Sequence, residues 1–269
     1  MPKKVLPTPR IPPGRRTVAA ACALLATAGC ATFGGANYVS LEEEWQLGRQ
    51  LEADLNGRLD LVNDAALQRY VNDMGQRMVR QTNMRELPWR FHVVRDADIN
   101  AFNVPGGLVY VHTGLLAKSG SAAEFAGALA HEIGHGVARH GTQRLSQAQE
   151  ANILAAIVLG RNPGAVAQIG AQVAAAGAFA RFSRDDEREA DQLAVELMAA
   201  TGYNPEGLAR LLERLMQEGA GGGGFFSSHP NPEERVRNVR TFARDVSRSG
   251  LRMDESGFAT VRTRAARYR

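Results

Sequence analysis

The chain has 269 residues, of which 44% are hydrophobic and 22% are charged, and this is the composition of an ordinary globular protein. It excludes a disordered, collagen-like or coiled-coil protein. The two cysteines, Cys22 and Cys30, both lie within the first 30 residues, so a disulfide framework and a cysteine-based zinc ribbon are excluded as well.

The formal net charge of +4 originates in the N-terminal segment. Residues 1–29 contain five basic side chains and no acidic one, and the rest of the chain carries 27 basic against 28 acidic residues. A basic surface for nucleic acid is therefore not indicated, and we expect no nucleic-acid partner.

Residues 1–29 have the pattern of a signal peptide. A basic stretch through Arg16 precedes an uncharged apolar run from Thr17 to Ala28. This run is shorter than the roughly 20 apolar residues that span a bilayer, so it predicts a cleaved signal rather than a membrane helix.

The end of this segment, Ala28-Gly29-Cys30, resembles a bacterial lipobox, in which the cysteine becomes a lipidated N-terminus after cleavage. Thr27 departs from the pattern, which prefers Leu there. Ala31, rather than Asp, follows the cysteine, and the resemblance then implies retention at the periplasmic side of the outer membrane. An ordinary secretory signal, which would leave the protein soluble in the periplasm, is the alternative.

A folded domain is predicted to begin at Ser40. Residues 30–39, which start with the expected lipidated cysteine, are mostly small and aperiodic and suit a short tether. Ser40 and Glu43 form a capping-box pattern at the start of a first helix, and a second helix is predicted over 64–81. No repeat with a period of 34 residues follows, so we expect residues 40–269 to form one domain without a tetratricopeptide array.

The apolar period then changes from helical to alternating. Trp89, Phe91 and Val93 alternate with polar residues, which is the pattern of a strand. A turn at 103–107 leads to a returning strand at 108–112. These segments predict a small antiparallel sheet.

The remainder of the chain is predicted to be mainly helical, which gives an α+β fold with the small sheet beside the helix at 121–140. Two Ala-rich stretches among these helices are too short to cross a membrane. The predicted helices cover residues 121–140, 151–160, 165–180, 183–200, 204–217 and 232–244.

The segment His131-Glu132-Ile133-Gly134-His135 lies on the predicted helix at 121–140. Side chains at positions i and i+4 project from one face of a helix, so the two imidazoles can bind the same metal ion. Glu132 can reach a water bound to that metal without binding the metal itself. This arrangement is typical of a hydrolytic zinc site.

A catalytic zinc ion needs a third protein ligand. A metzincin supplies a histidine six residues after His135, but Gly141 occupies that position, so this subclass is excluded. Glu187 and Asp191 lie one turn apart on a later acidic helix, so that one carboxylate can bind zinc while the other orients a ligand histidine. Glu189 is expected to point elsewhere.

Four motifs in this order resemble the zinc metalloendopeptidase family of HtpX and the CAAX prenyl proteases, a gluzincin family, and in particular its periplasmic lipoprotein members. The resemblance covers approximately residues 40–245. The motifs are NAFNVPGGLVYVHTGLL, HEIGH, SRDDEREAD and SSHPNPEERV.

The resemblance implies a zincin-type domain that holds one Zn²⁺ ion. By position in the motifs, His131, His135 and Glu187 are expected to bind the metal. Glu132 is expected to be the general base and acid, and Asp191 to support the site.

Further roles follow from the same resemblance. His229 is expected near the metal, where it either contacts the substrate or blocks the site, and Arg235 corresponds to an arginine that helps to bind the substrate. An extended peptide is expected to lie along the edge strand. The strand residues concerned are Asn100, Ala101, Phe102 and Asn103.

The remaining histidines are expected to be structural. His92 and His112 lie on predicted strands outside the ligand pattern. His140 follows His135 by five residues, so on a continuous helix it would point away from the metal.

Together these features predict a lipid-anchored zinc endopeptidase that acts on misfolded or misassembled envelope proteins. Recognition of the substrate backbone and anchoring through Cys30 place such substrates within reach, and the outer-membrane assembly machinery is a possible partner. The alternative is a latent or non-cutting, chaperone-like zinc lipoprotein that assists outer-membrane protein assembly, with His229 as a permanent fourth ligand.

Overall fold

The computed structural model describes residues 37–148, 161–218, 224–247 and 249–268. The expected signal peptide, the lipidated cysteine and the predicted helix at 151–160 lie outside these residues. None of the helices in the described ranges has the length and apolar character needed to span a bilayer.

The α+β, mainly helical fold predicted from the sequence is confirmed. The described ranges contain helices α1 (Leu41–Arg58), α2 (Ala65–Val79), α3 (Thr113–Lys118), α4 (Ala122–Val137), α5 (His140–Ala148), α6 (Pro163–Ala176), α7 (Arg184–Ala200), α8 (Glu206–Gln217), α9 (Phe225–Ser228), α10 (Pro232–Phe242) and α11 (Phe258–Ala265), and strands β1 (Arg90–Val94), β2 (Ala101–Val104) and β3 (Leu108–His112).

The small sheet is mixed rather than wholly antiparallel. Strands β2 and β3 form the expected hairpin, with Val104 opposite Leu108. Strand β1 lies on the other side of β3 and runs parallel to it, with Arg90 also opposite Leu108. Alternating apolar residues mark a strand but not its direction, so the pattern could not distinguish these pairings. The order β1-β3-β2 leaves β2 at an edge of the sheet.

The sheet separates two apolar cores, because successive side chains of a strand point to opposite faces. Val109 and Val111 of β3 belong to the larger core, with residues of α2, α4, α7 and α8. Leu108 and Tyr110 belong to the smaller core, which α1 and α6 cover.

Helix α4 is the central element of the larger core. Every residue from Ala122 to Gly136 is buried. Glycines permit the close approach of neighbouring helices: a Cβ atom added at Gly134 would lie 2.9 Å from the carbonyl oxygen of Ala190 in α7. Helix α4 is therefore held directly against α7.

Helix α4 ends earlier than the sequence pattern predicted. After Val137 the chain turns at Arg139, whose φ of 59° lies in the left-handed region, and α5 begins at His140. The Arg139 side chain forms an ion pair with Glu44 (2.6 Å) and donates a hydrogen bond to the carbonyl of Val39 (2.5 Å). These contacts with the segment around α1 stabilise a strained turn at a residue that is not glycine, so the residue type does not predict the turn.

Candidate metal centre

Helices α4 and α7 face each other and contribute most of the candidate ligands. His131, Glu132 and His135 lie on α4 and are fully buried. Helix α7 starts at a capping box between Ser183 and Asp186, which fixes its first turn and directs the buried Glu187 toward α4.

Four side chains bring donor atoms together at this interface, all within 4.8 Å of one another. The Nε2 atoms of His131 and His135 are 3.0 Å apart. Nδ1 of His229 lies 3.2 Å from Nε2 of His131 and 3.0 Å from Oε1 of Glu187. The carboxylate of Glu187 lies 3.4 Å from Nε2 of His131 and 3.5 Å from Nε2 of His135.

This donor set fits a zinc ion. Ligand atoms at the corners of a tetrahedron about 2.0–2.1 Å from zinc are separated from one another by about 3.3 Å. Five of the six separations between the donors of His131, His135, Glu187 and His229 are 3.0 to 3.5 Å, and all four donors lie within 4.8 Å of one another. Imidazole nitrogen and carboxylate oxygen are ligands that zinc takes in catalytic sites.

A buried ion-pair network lies behind the donors. Asp191 Oδ1 is 3.0 Å from Nδ1 of His131, which leaves Nε2 of that ring for the metal. Arg235 contacts Asp191 (2.7 Å) and Glu187 (3.0 Å) and is 1% exposed. The resemblance implied that Arg235 helps to bind the substrate. In this conformation two carboxylates hold its side chain instead. Burial raises the pKa values of Asp191 and Glu187, but the charge of Arg235 and contacts with histidines outweigh it and lower both pKa values.

The sequence predicted that His140 points away from the metal centre, and this prediction is wrong. Its Nδ1 lies 2.8 Å from Nδ1 of His135, and its Nε2 is 3.5 Å from Glu189 and 3.9 Å from Asp186. The turn at Arg139 is the reason, because it folds α5 back toward α4. Glu189, also expected to point elsewhere, is thus linked to the ligand His135 through His140.

Glu132 lies beside the donors without joining them. Its carboxylate oxygens have no hydrogen-bond partner among the described residues, and Nε2 of His229 is 3.4 Å from one of them. Burial raises the pKa of the Glu132 carboxyl to about 8. A divalent cation nearby favours the ionised form and would lower that pKa.

Two phenylalanines that the sequence analysis did not single out cover the centre. The ring of Phe182 stacks on His135, with centroids 3.9 Å apart, and Phe225 stacks on His229 at 4.5 Å. The Phe182 N–H donates to the carbonyl of Ser228 (3.2 Å), which joins the two covering segments. Their only signal in the sequence is that they precede the motifs SRDDEREAD and SSHPNPEERV by one and two residues. The centre is closed to solvent in this conformation.

The predicted peptide-binding strand packs against α4: a Cβ atom added at Gly136 would lie 3.0 Å from the side-chain nitrogen of Asn103. Asn100 and the four residues of β2 are buried, although β2 is an edge strand. The His112 N–H donates to the carbonyl of Asn100 (3.0 Å), so by alternation the backbone groups of Ala101 and Asn103 point away from β3, toward the edge of the sheet that no described strand pairs with. The backbone of Asn103 approaches the Glu132 carboxylate. His112 lies on β3, as expected.

Comparison with known proteins finds several relatives. The model of peptidase family M48 matches residues 65–243. The chain is 27% identical over 220 residues to the beta-barrel assembly-enhancing protease of Escherichia coli (strain K12), a match that covers 77% of this chain and 45% of that protein. The chain thus spans less than half the length of that relative.

Two further relatives carry metalloprotease names. The mitochondrial metalloendopeptidase OMA1 of Schizosaccharomyces pombe is 33% identical over 176 residues, which cover 63% of this chain and 51% of that protein. The metalloprotease YcaL of Escherichia coli (strain K12) is 29% identical over 163 residues, with coverage of 59% and 63%.

Proposed function

The chain belongs to peptidase family M48, a family of zinc metalloendopeptidases, and on this basis we propose that it hydrolyses peptide bonds of misfolded or misassembled cell-envelope proteins. The observation that carries the proposal is the buried group of three imidazoles and one carboxylate at zinc-ligand separations, with a further carboxylate beside it.

Each candidate residue has a proposed role. His131, His135 and Glu187 hold one zinc ion per chain, and Asp191 orients His131 through the contact between its Oδ1 and Nδ1 of the ring. Glu132 is the general base and acid, because its carboxylate adjoins the donors but is not one of them.

The mechanism needs one proton carrier and one site of charge stabilisation. When bound, zinc supplies Lewis-acid chemistry, which polarises a carbonyl and makes water a nucleophile near neutral pH. Glu132 accepts the proton of the attacking water and then donates it to the leaving amine. Nε2 of His229 is 3.4 Å from Glu132. Once the His229 side chain moves away from the other metal donors, it can donate a hydrogen bond to the developing oxyanion.

Substrate recognition is proposed to use the backbone of β2. The outward backbone groups of Ala101 and Asn103 can pair with an extended peptide, and this mode selects unfolded or exposed segments rather than one sequence. Phe102 and Asn100 would flank that peptide. The name of the Escherichia coli relative, a beta-barrel assembly-enhancing protease, supports envelope proteins as substrates and the outer-membrane assembly machinery as a partner.

Zinc content and peptide cleavage test the enzymatic proposal together. We expect the purified protein to bind one zinc ion per chain and to cleave casein. The Glu132→Gln variant should keep its zinc and lose at least about 100-fold of its activity, since general acid–base catalysis contributes 10²–10⁴-fold. Casein cleavage that persists in the zinc-loaded variant would refute the role of Glu132.

A latent protein is a second candidate, favoured by one observation: Nδ1 of His229 lies among the zinc donors, in a centre closed to solvent. If His229 occupies the position that substrate needs, cleavage should appear or increase in His229→Ala. A protein that holds zinc and cuts nothing in either form would instead be the chaperone-like lipoprotein.

Location and substrate are tested in cells. We propose lipidation at Cys30 and attachment to the periplasmic side of the outer membrane. The variant Cys30→Ala should then appear in the soluble fraction, whereas a soluble periplasmic protein would be unaffected. In a null strain, misassembled outer-membrane proteins should persist longer; unchanged turnover would contradict the proposed substrates.

A further inference from the structure

A recess of about 90 Å³ lies where the start of β2 meets the end of α6. Asp96, Asp98 and Asn100 line it from the loop before β2, and His112 lines it from β3. The last turn of α6, Ala174–Ala176, closes the opposite side. The recess lies on the sheet face away from α4, so its residues are separate from the metal donors.

Two buried polar atoms in this recess have no hydrogen-bond partner within the part of the chain that the structure describes. Oδ1 of Asn100 and Nδ1 of His112 are both orphaned, in residues that are 3% and 4% exposed. The amide nitrogen of Asn100 is used, because it donates to the carbonyl of Gly177 (2.8 Å). Nδ1 of His112 is 3.6 Å from Asp96, beyond hydrogen-bond distance. Burial lowers the pKa of His112, which favours the neutral ring, and a neutral imidazole accepts a hydrogen bond at one of its two nitrogens.

The electrostatics of the recess favour a cation. Within the described ranges no Lys or Arg pairs with the carboxylate of Asp96 or Asp98, and the neighbouring Arg95 pairs with Asp60 instead (3.1 Å). The last turn of α6 adds carbonyl groups without intrahelical donors and the negative end of the helix dipole. A group with several N–H donors and a positive charge matches these acceptors, as a lysine ammonium does.

The strand register connects the recess to the peptide proposed to lie along β2. Residues directly opposite each other on neighbouring strands share a face of the sheet, so the peptide residue opposite Asn100 would project on the recess side. Asn103, whose backbone approaches Glu132, is three residues further along, which is about 10 Å on a strand.

From these observations we propose that the recess binds the lysine or arginine side chain of a substrate, at a position about three residues from the scissile bond. The proposal rests on the endopeptidase function proposed above, and it adds a preference for basic side chains to recognition through the backbone.

Fluorescent ten-residue peptides that differ at one position test this preference. That position carries lysine, norleucine or glutamate and is moved through the three residues on each side of the scissile bond. Dissociation constants are measured with the full-length, zinc-loaded Glu132→Gln protein, and kcat/KM is measured with the wild type and with His229→Ala. At one position, the lysine peptide should bind about fivefold more tightly than the norleucine peptide and have a kcat/KM about fivefold higher, which is the effect expected of one partly exposed charge pair. The glutamate peptide should have the weakest binding and the lowest kcat/KM.

The double variant Asp96→Asn/Asp98→Asn should reduce the ratio between lysine and norleucine peptides toward one. Asn at position 96 can still accept from the Asp98 N–H (2.8 Å), and zinc content and thermal unfolding report whether the variant is folded. The single variant Asp98→Asn, at an exposed side chain, should give a partial loss. The matched control is Glu86→Gln, whose side chain is 90% exposed and pairs only with Arg85 among described residues; it should keep the wild-type ratio.

Equal binding of lysine and norleucine peptides at every position would overturn the proposal, and so would a lysine preference that survives in the folded double variant. Cleavage without that preference overturns the recess alone. If neither the wild type nor His229→Ala cuts any peptide while both hold zinc, the endopeptidase proposal fails, and the binding constants still decide what the recess binds.

Discussion

Each α4 histidine of the metal centre is oriented by a polar side chain on its far ring nitrogen. Asp191 contacts Nδ1 of His131 (3.0 Å), and His140 contacts Nδ1 of His135 (2.8 Å). Such contacts fix the tautomer and the ring angle, so that both Nε2 atoms face the metal. In the second case the series of polar contacts continues, because Nε2 of His140 lies 3.5 Å from the carboxylate of Glu189.

We expect His140→Ala to weaken zinc binding. Nδ1 of His135 would lose its partner and the ring could rotate, and loss of such an outer contact typically costs 10- to 100-fold in metal affinity. Competition with a chromophoric chelator measures the zinc dissociation constant. His92→Ala is the control, because His92 lies on β1 and contacts Glu52 (2.9 Å). Equal zinc affinity of the two variants would show that His140 does not position His135.

Arg235 is the cation that neutralises two buried carboxylates, Glu187 and Asp191. Replacement by Met leaves these charges uncompensated, so we expect the zinc-free protein to lose about 3–5 kcal/mol of unfolding free energy. Zinc should restore part of the loss, because the metal supplies positive charge to the same carboxylates. Urea unfolding with and without zinc measures both effects.

The exposed Arg237, two residues further on the same helix, is the control for that substitution. Arg237→Met should change the unfolding free energy by no more than about 0.5 kcal/mol. Similar losses for both variants would contradict the role of Arg235 as the cation that compensates Glu187 and Asp191.

At the scale of elements, the distance between α4 and α7 sets the geometry of the metal donors, because two histidines lie on one helix and Glu187 on the other. A Cβ atom at Gly134 would lie 2.9 Å from the backbone oxygen of Ala190, which cannot move aside as a side chain could. Gly134→Ala should therefore separate the helices, lower the melting temperature and weaken zinc binding.

Gly57→Ala is the control for Gly134→Ala, because the added methyl group at position 57 does not meet a neighbouring helix. Gly57 lies in the exposed last turn of α1, and an added Cβ would meet no atom of the described residues within 4 Å. Gly57→Ala should stabilise the protein by about 0.5–1 kcal/mol through the loss of backbone freedom in the unfolded chain. Calorimetry and zinc titration of both variants check the pair; a Gly134→Ala variant with wild-type melting and zinc affinity would contradict the close-packing argument.

The elements that the sequence predicted best are those with strong local signals. Helices α1, α4 and α7 start at the predicted positions, after Ser40, Ser121 and Ser183, because a side-chain cap is a local interaction. The end of α4 was missed, since the turn at Arg139 depends on its contact with Glu44, 95 residues away. His140 was misplaced for the same reason.

At the scale of the whole molecule, long-range pairing limited what could be predicted. The spacing of His131 and His135 indicates a shared metal from one turn of helix, whereas the approach of His229 to Glu187 (3.0 Å) joins segments 42 residues apart and was expected only from resemblance. The parallel pairing of β1 with β3 and the aromatic cover by Phe182 likewise depend on tertiary contacts that leave no periodic trace in the sequence.

The C-terminal helix α11 is fastened to the start of α2 through one buried carboxylate. Asp64 caps α2 by accepting from the N–H groups of Ala66 and Leu67, and its other oxygen accepts from Tyr268 (3.1 Å) and Arg264 (2.5 Å). Burial raises the pKa of Asp64, but the hydrogen bond from Arg264 and the backbone N–H groups outweigh it, and the pKa lies below its ordinary value of 3.8.

A lowered carboxyl pKa contributes stability above the pKa of the unfolded chain, near 3.8, and this contribution is lost as the pH falls through the folded value. Asp64→Asn keeps the cap but removes the charge. The zinc-free variant should therefore be less stable than the wild type by about 1 kcal/mol at pH 7, the size of a partly exposed pair. The difference in unfolding free energy should persist at pH 5 and shrink below pH 3.8. Urea unfolding across this range measures it. A difference independent of pH would show that Arg264 does not interact with the charge of Asp64.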